Sequence, residues 1–421
     1  MSETESDCNT SDSSDKESSE TNNLDLHGKI IGNYNIIYKI GSGGYSIVWL
    51  AYNIGNNKYY ALKVQDPRDF KDGYEEVKFV SSLPVDVNCF NNIIEYFIEI
   101  RNKKKYLCSV WNLHASDLDS VIRKKGYDNG LPLNIVHKIM KQLSFALDIL
   151  HNQFNVYHGD IKPDNIFIKG INNKDAEIIN QYNNANFINK YINAKNEFWI
   201  KSGKNLKNIN KMKNSDKLKI RSDIHSEIVN SINIDSIQKN NIELTIDNCN
   251  ISLGDFGTYC DEDTYYEDTF GTRYYQAPEI ILGGKCSYSV DIWALGCTYY
   301  ELVTGTILFD PIKDSKYSRD YHHLKLINET CGNYPKEFLK NMKHCNTFFN
   351  KKYKIINYID PEENRLIRKL NECDKNIESV CKIIQDILII DSKLRPKIST
   401  VTKFFNTFNT PSNTVNAIAT L

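Results

Sequence analysis

Short runs in which apolar and polar residues alternate dominate residues 34–111. Runs of this kind, rich in Ile, Val, Tyr and Trp and bounded by Gly or Asn, are typical of antiparallel β-strands. Within the same stretch, Tyr74, Val77, Val80 and Leu83 recur at every third residue and predict one helix over residues 74–83. The alternating runs predict five strands, at Tyr34–Ile40, Ser46–Ala51, Tyr59–Val64, Ile93–Ile100 and Lys105–Trp111.

The pattern becomes helical further along the chain. Apolar residues between Leu133 and His151 repeat at helical spacing and predict a long buried helix, and the sequence stays mostly helical to its end. We therefore predict an α+β fold with two lobes and a cleft between them. The first lobe is a small antiparallel β-sheet with one main helix, and the second is larger and mostly helical. The predicted domain covers residues 34–409, with lobes at 34–112 and 113–409, followed by a C-terminal tail at 410–421.

Two segments depart from this organisation. Residues 1–25 contain eight acidic residues and one basic residue, Lys16, and Ser or Thr fills most of the gaps. Such a segment buries too little apolar surface to offset its chain entropy, so we predict a disordered tail at residues 1–32. Residues 171–250 are rich in Asn and Lys and lack a sustained period. They are predicted to be a low-complexity insertion, because the flanking runs Ile166–Lys169 and Ile251–Leu253 look like two strands of one hairpin.

Composition narrows the classes of function. The chain has 421 residues and a net charge of −1, which gives no electrostatic footprint for nucleic-acid or membrane binding. The 11 cysteines are odd in number and form no Cys-x-x-Cys pair, which indicates reduced thiols rather than disulfides or a zinc site. No signal-type segment and no run of 18 apolar residues occurs. We expect an intracellular monomer that binds neither nucleic acid nor membrane, with cytoplasm and nucleus both open.

The stretch His158-Gly-Asp-Ile-Lys-Pro-Asp-Asn165 places a carboxylate, an ammonium group and an amide in one short loop. Phosphoryl transfer needs these groups close together: Asp160 would orient a hydroxyl and take its proton, and Lys162 would neutralise the moving phosphoryl group. The amide oxygen of Asn165 would bind a metal ion, together with the carboxylate of Asp255 in the downstream Asp-Phe-Gly257. A polar turn between a helix and a strand is the alternative interpretation.

A glycine-rich segment lies between the first two predicted strands. Glycines let the backbone approach phosphate oxygens and present its N–H groups to them, although a glycine-rich hairpin turn would look the same. Val48 and Ala61 stand where apolar side chains would cover a purine ring. The candidate nucleotide-binding residues of this segment are Ile40, Gly41, Ser42, Gly43, Gly44, Tyr45, Ser46, Ile47 and Val48.

Lys63 ends the sequence Ala-Leu-Lys on the third predicted strand. A lysine there would contact the α- and β-phosphates of a nucleotide and be held by a carboxylate on the predicted helix. Glu76 is the candidate partner, because Val80 lies one turn later on the same face, and Glu75 is the alternative. An exposed strand lysine without such a role is the other interpretation.

Together these motifs resemble the eukaryotic protein kinases over roughly residues 34–409. The resemblance implies the bilobal kinase fold, a protein substrate, and ATP and Mg²⁺ as cofactors. Two further motifs fit it. Glu279 in Gln-Ala-Pro-Glu is expected to pair with Arg395 in Lys-Leu-Arg-Pro, and Asp291 is expected to hold the catalytic loop through its backbone.

Within the kinases, the sequence is most similar to the SR protein kinase group, which phosphorylates serines in arginine–serine-rich splicing proteins. Three positions depart from the kinase pattern: Ser46 stands in place of the third glycine of the glycine-rich loop, and Gly159 and Gln276 each stand in place of an Arg. Gly159 and the acidic residues after Asp255 imply that the enzyme is active without phosphorylation of its activation loop. Gln276 puts in doubt which residue the enzyme prefers just after the phosphorylated residue of its substrate. The stretches that carry the similarity are Leu131–Ile139, Ala146–His151, the insertion at 171–250, Gly305–Pro311 and Phe348–Lys352.

We therefore predict an ATP-dependent serine/threonine kinase that transfers the γ-phosphate to a protein Ser or Thr hydroxyl. Arginine–serine-rich proteins are the candidate substrates, although the lysine-rich residues 334–355 offer few acids to bind them. The alternative is a pseudokinase, a scaffold of the same fold without chemistry. A small-molecule kinase is disfavoured by the Ala-Pro-Glu segment.

Overall fold

The structure is a computed structural model that describes residues 24–409 except 45, 86, 124–126, 128, 240–241, 262–269, 314–315, 360–361 and 373–376. The tail prediction for residues 1–23 and 410–421, and the candidate residue Tyr45, lie outside the described residues. The chain divides into two compact units. Unit 1 comprises the described residues up to 81 together with 93–113 and 173–238, and unit 2 comprises 82–92, 114–172 and the described residues from 239 onward.

The described residues contain eleven β-strands, and all five predicted strands are among them. The strands are β1 Ile30–Ile31, β2 Tyr34–Ser42, β3 Ser46–Asn53, β4 Lys58–Gln65, β5 Ile93–Arg101, β6 Lys104–Trp111, β7 His114–Asp117, β8 Val156–Tyr157, β9 Ile166–Lys169, β10 Ile251–Leu253 and β11 Cys260–Asp261. They form one antiparallel sheet in the order β1-β2-β3-β4-β6-β5, a three-stranded sheet β10-β9-β7 and a pair β11-β8.

Fourteen α-helices occur in the same residues, and both predicted helices are confirmed as α1 and α3. The helices are α1 Phe70–Ser82, α2 Leu118–Ile122, α3 Leu133–Ile149, α4 Asn173–Asn184, α5 Phe187–Lys201, α6 Asn214–Ser231, α7 Pro278–Ile281, α8 Ser289–Thr304, α9 Arg319–Cys331, α10 Lys336–Leu339, α11 Cys345–Phe348, α12 Arg365–Asn371, α13 Ile377–Ile387 and α14 Ile398–Asn406.

The six-stranded sheet of unit 1 is buried on both faces along β3. Ile47 and Trp49 belong to one apolar core, whereas Leu50 and Tyr52 belong to another. Because successive side chains of a strand point to opposite faces, the two cores lie on opposite faces of the sheet. The second face is covered by α4, α5 and α6, which come from the predicted insertion.

The disordered tail predicted at residues 1–32 is too long. Leu26 is fully buried in the first core, and Ile31 is 1% exposed there. The short strand β1 pairs with β2 through Ile31 and Tyr34. The apolar residues of this segment form two short pairs, Leu24 with Leu26 and Ile30 with Ile31, which are too short to show a strand or helix period.

The described part of residues 171–250 contains three α-helices, whereas the sequence pattern predicts no regular element there. The ring of Tyr182 lies 5.5 Å from that of Tyr52, and the ring of Phe187 lies 6.1 Å from it. Polar contacts join the same elements, since Nδ2 of Asn35 donates to the hydroxyl of Tyr182 at 2.9 Å. The insertion is therefore part of the folded core of unit 1.

The helical pattern of α6 is hidden because polar residues occupy its inward positions. Arg221, His225, Ile228 and Val229 form its buried face, at a spacing that a helix repeats. Nε of Arg221 donates to Oδ1 of Asn35 at 2.7 Å. Burial lowers the pKa of His225 to about 4, so its ring is neutral at physiological pH.

In unit 2, β9 and β10 pair antiparallel, which confirms the hairpin predicted for the strands that flank the insertion. Ile166 lies opposite Leu253, and Ile168 lies opposite Ile251. The centre of the unit is α8, which is buried from Val290 to Thr304. Across the described residues, none of the helices combines the length and the apolar character that a membrane span would need.

Candidate active site

The glycine-rich segment forms a hairpin in unit 1. Gly41 pairs with Val48 at the base of the hairpin, and the N–H of Gly43 donates to the carbonyl of Ser46 at 2.9 Å. Ile40, Gly41 and Ser42 belong to β2, and Ser46, Ile47 and Val48 belong to β3. Gly43 and Gly44 are exposed, and Ala61 on β4 is buried opposite Trp111. A nucleotide-binding loop and a plain hairpin turn share this geometry.

Lys63 and Glu76 form an ion pair in unit 1. The Nζ of Lys63 lies 2.9 Å from Oε2 of Glu76, and the two side chains are 23% and 7% exposed. α1 turns Glu76 inward, because it places Val77 and Val80 in the core. The alternative partner, Glu75, is exposed and pairs with Lys78 at 3.3 Å. Glu76 is therefore the partner of Lys63.

Asp160, Lys162 and Asn165 lie together in the loop between β8 and β9 of unit 2. The Nζ of Lys162 donates to Oδ2 of Asp160 at 2.7 Å. The Nδ2 of Asn165 donates to the carbonyl of Asp160 at 2.8 Å and to its Oδ2 at 3.2 Å. Pro163 begins a 3₁₀ turn that brings Asn165 back toward Asp160. The loop thus surrounds one carboxylate with an ammonium group and an amide.

Thr272 is a site residue that the sequence interpretation missed. Its backbone N–H donates to Oδ1 of Asp160 at 2.7 Å, and its Oγ1 accepts a hydrogen bond of 2.6 Å from Nζ of Lys162. The available signal is its place after Gly271, at the start of the segment that ends in Ala-Pro-Glu. Thr272 closes the hydrogen-bond network around the carboxylate.

Two opposing effects set the pKa of Asp160. Burial would raise the pKa, but the Lys162 ammonium and the hydrogen bonds from Lys162 and Thr272 hold it below its usual range. The carboxylate is therefore ionised throughout the neutral range. It can accept a hydrogen bond from a hydroxyl, while its affinity for the proton stays low.

Two glycines allow close contacts between the catalytic loop and the segments that contain Thr258 and Thr272. Gly159 has a φ of +80°, and a Cβ there would lie 2.8 Å from the carbonyl oxygen of Thr258. Gly271 has a φ of +72°, and its Cβ would lie 2.5 Å from the carbonyl oxygen of Gly159. Side chains at either position would force the backbone apart. This gives a structural reason for glycine at position 159, where the kinase pattern has an Arg.

Asp291 holds the catalytic loop through its backbone, as predicted. Its Oδ2 accepts the N–H of His158 at 2.8 Å, and its Oδ1 accepts the N–H of Gly159 at 2.9 Å. Burial would raise the pKa of Asp291, but hydrogen bonds from His151 and the backbone hold it below its ordinary value. The prediction that His158 and Phe256 are packing residues is also confirmed, since their buried rings lie 5.0 Å apart.

The two candidate metal ligands, Asn165 and Asp255, lie on adjoining segments of unit 2. The N–H of Gly254 donates to the carbonyl of Asn165 at 3.0 Å, and Asp255 follows with an exposed side chain and a φ of 60°. Because Nδ2 of Asn165 is bonded to Asp160, its Oδ1 is the atom that would face a cation. Within the described part of the chain, no group of three or more His, Cys, Asp or Glu side chains could hold a metal ion. The two oxygens suit Mg²⁺, which usually completes its shell with phosphate and water.

Glu279 and Arg395 form the buried ion pair that the motifs predict. The guanidinium donates to both carboxylate oxygens, at 2.5 and 2.7 Å, and neither side chain is exposed. Arg395 also donates to the carbonyl of Ile390 at 3.0 Å. The pair joins the end of the Ala-Pro-Glu segment to the helical core of unit 2.

A further buried carboxylate, Glu301, has no motif to mark it in the sequence. The hydroxyl of Tyr275 donates to its Oε2 at 2.5 Å, and Nη2 of Arg123 lies 3.5 Å from its Oε1. Burial raises the pKa of Glu301 to about 7. Gln276 follows Tyr275 in the sequence, and its Nε2 donates to the carbonyl of Phe270 at 3.0 Å. These contacts anchor the segment that follows Thr272.

A sequence model described as the protein kinase domain matches residues 34–190 and 224–404 of this chain. The chain belongs to the protein kinase family. The bilobal kinase fold and the assignment as a serine/threonine protein kinase are confirmed by this match and by the relatives below. The stretch that the kinase model leaves unmatched, 191–223, is shorter than the insertion predicted at 171–250.

The relatives of this kinase include two named protein kinases and a solved kinase domain. The chain is 28% identical to the serine/threonine-protein kinase SRPK of Physarum polycephalum over 344 residues, which cover 78% of this chain and 74% of the relative. It is 26% identical to the protein kinase dsk1 of Schizosaccharomyces pombe over 383 residues, 77% and 70% of the two chains. The crystal structure of the PF14_0431 kinase domain shares its fold, with a TM-score of 0.59 at 22% identity over 88% of this chain and 94% of that one.

Proposed function

We propose that Asp160 of this kinase orients the Ser or Thr hydroxyl of a protein substrate for attack on the γ-phosphorus of ATP. The observation that carries the proposal is the network in which Lys162 and Thr272 hold the Asp160 carboxylate at 2.7 Å each. In the transfer, the hydroxyl oxygen bonds to the γ-phosphorus, the bond to the β–γ bridging oxygen breaks, and ADP leaves. The hydroxyl proton passes to the Asp160 carboxylate.

The low pKa of Asp160 is compatible with this role. Phosphoryl transfer goes through a loose transition state in which the attacking oxygen forms little bond, so early removal of the proton is not required. An ionised carboxylate that accepts a hydrogen bond is enough to aim the hydroxyl. Lys162 supplies a positive charge for the oxygens of the phosphoryl group as charge spreads over them.

We assign the candidate site residues of unit 1 to binding the nucleotide. Lys63, held by Glu76 at 2.9 Å, would contact the α- and β-phosphates, and the backbone of Gly41–Val48 would cover the triphosphate. In unit 2, Asn165 and Asp255 would hold Mg²⁺. When bound, the metal supplies positive charge to the β- and γ-phosphate oxygens.

The proposed substrates are arginine–serine-rich proteins, a proposal that rests on the similarity to the SR protein kinase group. A peptide array tests it with radiolabelled ATP. Serine peptides flanked by arginines should be phosphorylated at least several-fold faster than the same peptides with Lys or Glu in place of Arg. Equal labelling of the three sets would remove the substrate proposal and leave the kinase activity in place.

The same assay separates the enzyme from the pseudokinase alternative. Transfer of the γ-phosphate to any Ser- or Thr-containing peptide, lost in Asp160→Asn, supports the enzyme. Nucleotide binding without transfer to any peptide or to the chain itself would support the scaffold.

A further inference from the structure

We infer that residues 201–213 of the insertion bind the acidic amino-terminal segment of the same chain, residues 1–23. Residues 201–213 contain five lysines and no acidic residue, and all five side chains are exposed. We call this segment the lysine loop, because it joins α5 to α6. Its lysines are Lys201, Lys204, Lys207, Lys211 and Lys213.

The lysine loop has a fixed backbone. Trp199 is 3% exposed, and its Nε1 donates to the carbonyl of Asn205 at 3.0 Å. The Nζ of Lys204 lies 4.2 Å from the centre of the same ring, and Met212 is 3% exposed. Because the loop is folded onto Trp199, its charges are held together on one small part of the surface.

Local carboxylates leave most of this charge unpaired. Among the described residues, the carboxylate within ion-pair distance of these lysines is Glu197, which lies 4.0 Å from Lys201. Like charges held close together repel each other, and an acidic partner relieves the repulsion. The surface therefore favours an acidic ligand.

The acidic segment 1–23 has matching charge. It contains seven acidic residues and one basic residue, Lys16. The seven acids are Glu3, Glu5, Asp7, Asp12, Asp15, Glu17 and Glu20.

The chain that follows the segment is attached to the insertion. Ser226 of α6 donates to the carbonyl of Gly28 at 3.2 Å, and Arg221 donates to the carbonyl of Gly32 at 2.9 Å. Along α6, the helix rise of about 1.5 Å per residue puts Ser226 about 20 Å from the end of the lysine loop. An extended chain of 23 residues can span up to about 75 Å, so the segment can reach the loop.

Covalent attachment favours this segment over other acidic ligands. A tethered segment has an effective concentration on the order of 1 mM, which a separate protein or nucleic acid would have to match in solution. Even a weak set of exposed ion pairs is then populated at low salt. At 1 M salt the screening length falls to about 3 Å, and the contact should be lost.

Trypsin tests the contact, because Lys16 is the one Lys or Arg in residues 1–28. The initial rate at which residues 1–16 are released from the full chain is followed by mass spectrometry at 20 mM and at 1 M NaCl. In the lysine-loop variant, all five lysines are replaced by Gln. A matched control replaces five exposed lysines of unit 2, namely Lys336, Lys340, Lys343, Lys351 and Lys352, by Gln.

If the contact forms, trypsin should release residues 1–16 at least three-fold more slowly from the wild type and the matched control than from the lysine-loop variant at 20 mM NaCl. The difference should disappear at 1 M NaCl. A second variant with Arg at all five loop positions should keep the slow release, which shows that charge rather than altered folding is responsible.

Three results would overturn the inference. One is equal release from the wild type and the lysine-loop variant at 20 mM NaCl. Another is slow release that vanishes on dilution, since the segment would then bind a second copy of the chain. The third is a 20-nucleotide single-stranded DNA that binds through the loop equally tightly with and without residues 1–23, since the loop would then be vacant in the full chain.

Discussion

The backbone N–H of Thr272 donates a hydrogen bond of 2.7 Å to Oδ1 of Asp160. The other oxygen of the carboxylate, Oδ2, accepts a hydrogen bond of 2.7 Å from Lys162. One half of the carboxylate is therefore held by its own loop and the other half by a segment more than a hundred positions downstream. The orientation of the Asp160 carboxylate depends on both hydrogen bonds. The segment before Ala-Pro-Glu therefore positions the proposed catalytic group.

The Lys63–Glu76 ion pair is expected to matter for nucleotide use. Glu76→Gln should raise the KM for ATP or lower kcat, with kcat/KM reduced at least about ten-fold, because Lys63 loses the carboxylate that directs it. The neighbouring Glu75→Gln is the matched control, since Glu75 is exposed and pairs with Lys78. Steady-state kinetics measure both variants. Equal losses in the two variants would contradict the assignment of Glu76.

The Glu279–Arg395 pair is expected to stabilise unit 2 strongly. Glu279→Gln should lower the free energy of unfolding by about 3–5 kcal/mol, because it leaves the Arg395 guanidinium buried without a counter-charge. Chemical denaturation with far-UV circular dichroism measures the change. The exposed pair of Glu337 and Lys340 provides the control, and Glu337→Gln should leave the stability unchanged within error. A loss in Glu279→Gln no larger than in that control would contradict the structural role.

Glu301 should make the stability depend on pH. Burial raises its pKa to about 7 from an ordinary value of 4.5, so the folded chain binds a proton more tightly than the unfolded chain. The stabilisation is fully present below pH 4.5 and is lost as pH rises through 7; it amounts to at most about 3 kcal/mol. The Tm of the wild type should therefore fall more steeply from pH 5 to pH 8 than the Tm of Glu301→Gln. Parallel Tm curves for the two proteins would show that Glu301 does not titrate in this range.

The insertion should unfold together with the sheet it covers. Phe187 is 3% exposed against Tyr52, and Phe187→Ala should destabilise the protein by about 3 kcal/mol through lost burial and a cavity. Phe198 on the same helix is 41% exposed, so Phe198→Ala should have little effect. Thermal unfolding compares the two variants. A wild-type Tm in Phe187→Ala would mean that the insertion does not contribute to the core.

Local patterns are sufficient to predict some of this structure. The alternation of residues in β2 to β6 and the helical spacing in α1 and α3 reflect how side chains face a core, and both can be recognised without tertiary information. The partner of Lys63 could be chosen because Glu76, rather than Glu75, shares a helix face with Val80.

The features that were missed depend on contacts distant in sequence. α6 buries Arg221 and His225, so hydropathy does not show its inward face. Thr272 contacts Asp160 through its backbone N–H, which any residue except proline could supply. Glu301 lies on the buried helix α8, and its partners Tyr275 and Arg123 come from other parts of the chain. No local pattern encodes such pairings.

The role of Asp160 is tested by phosphotransfer from radiolabelled ATP in Asp160→Asn, with nucleotide affinity measured on the same preparation. The variant keeps the shape of the side chain but removes the charge that aims the hydroxyl, so kcat should fall by at least about two to three orders of magnitude while the Kd for ATP stays within about two-fold. A thermal unfolding curve like that of the wild type confirms that the variant is folded. Turnover comparable to that of the wild type would contradict the role assigned to Asp160 and, with it, the account of this site.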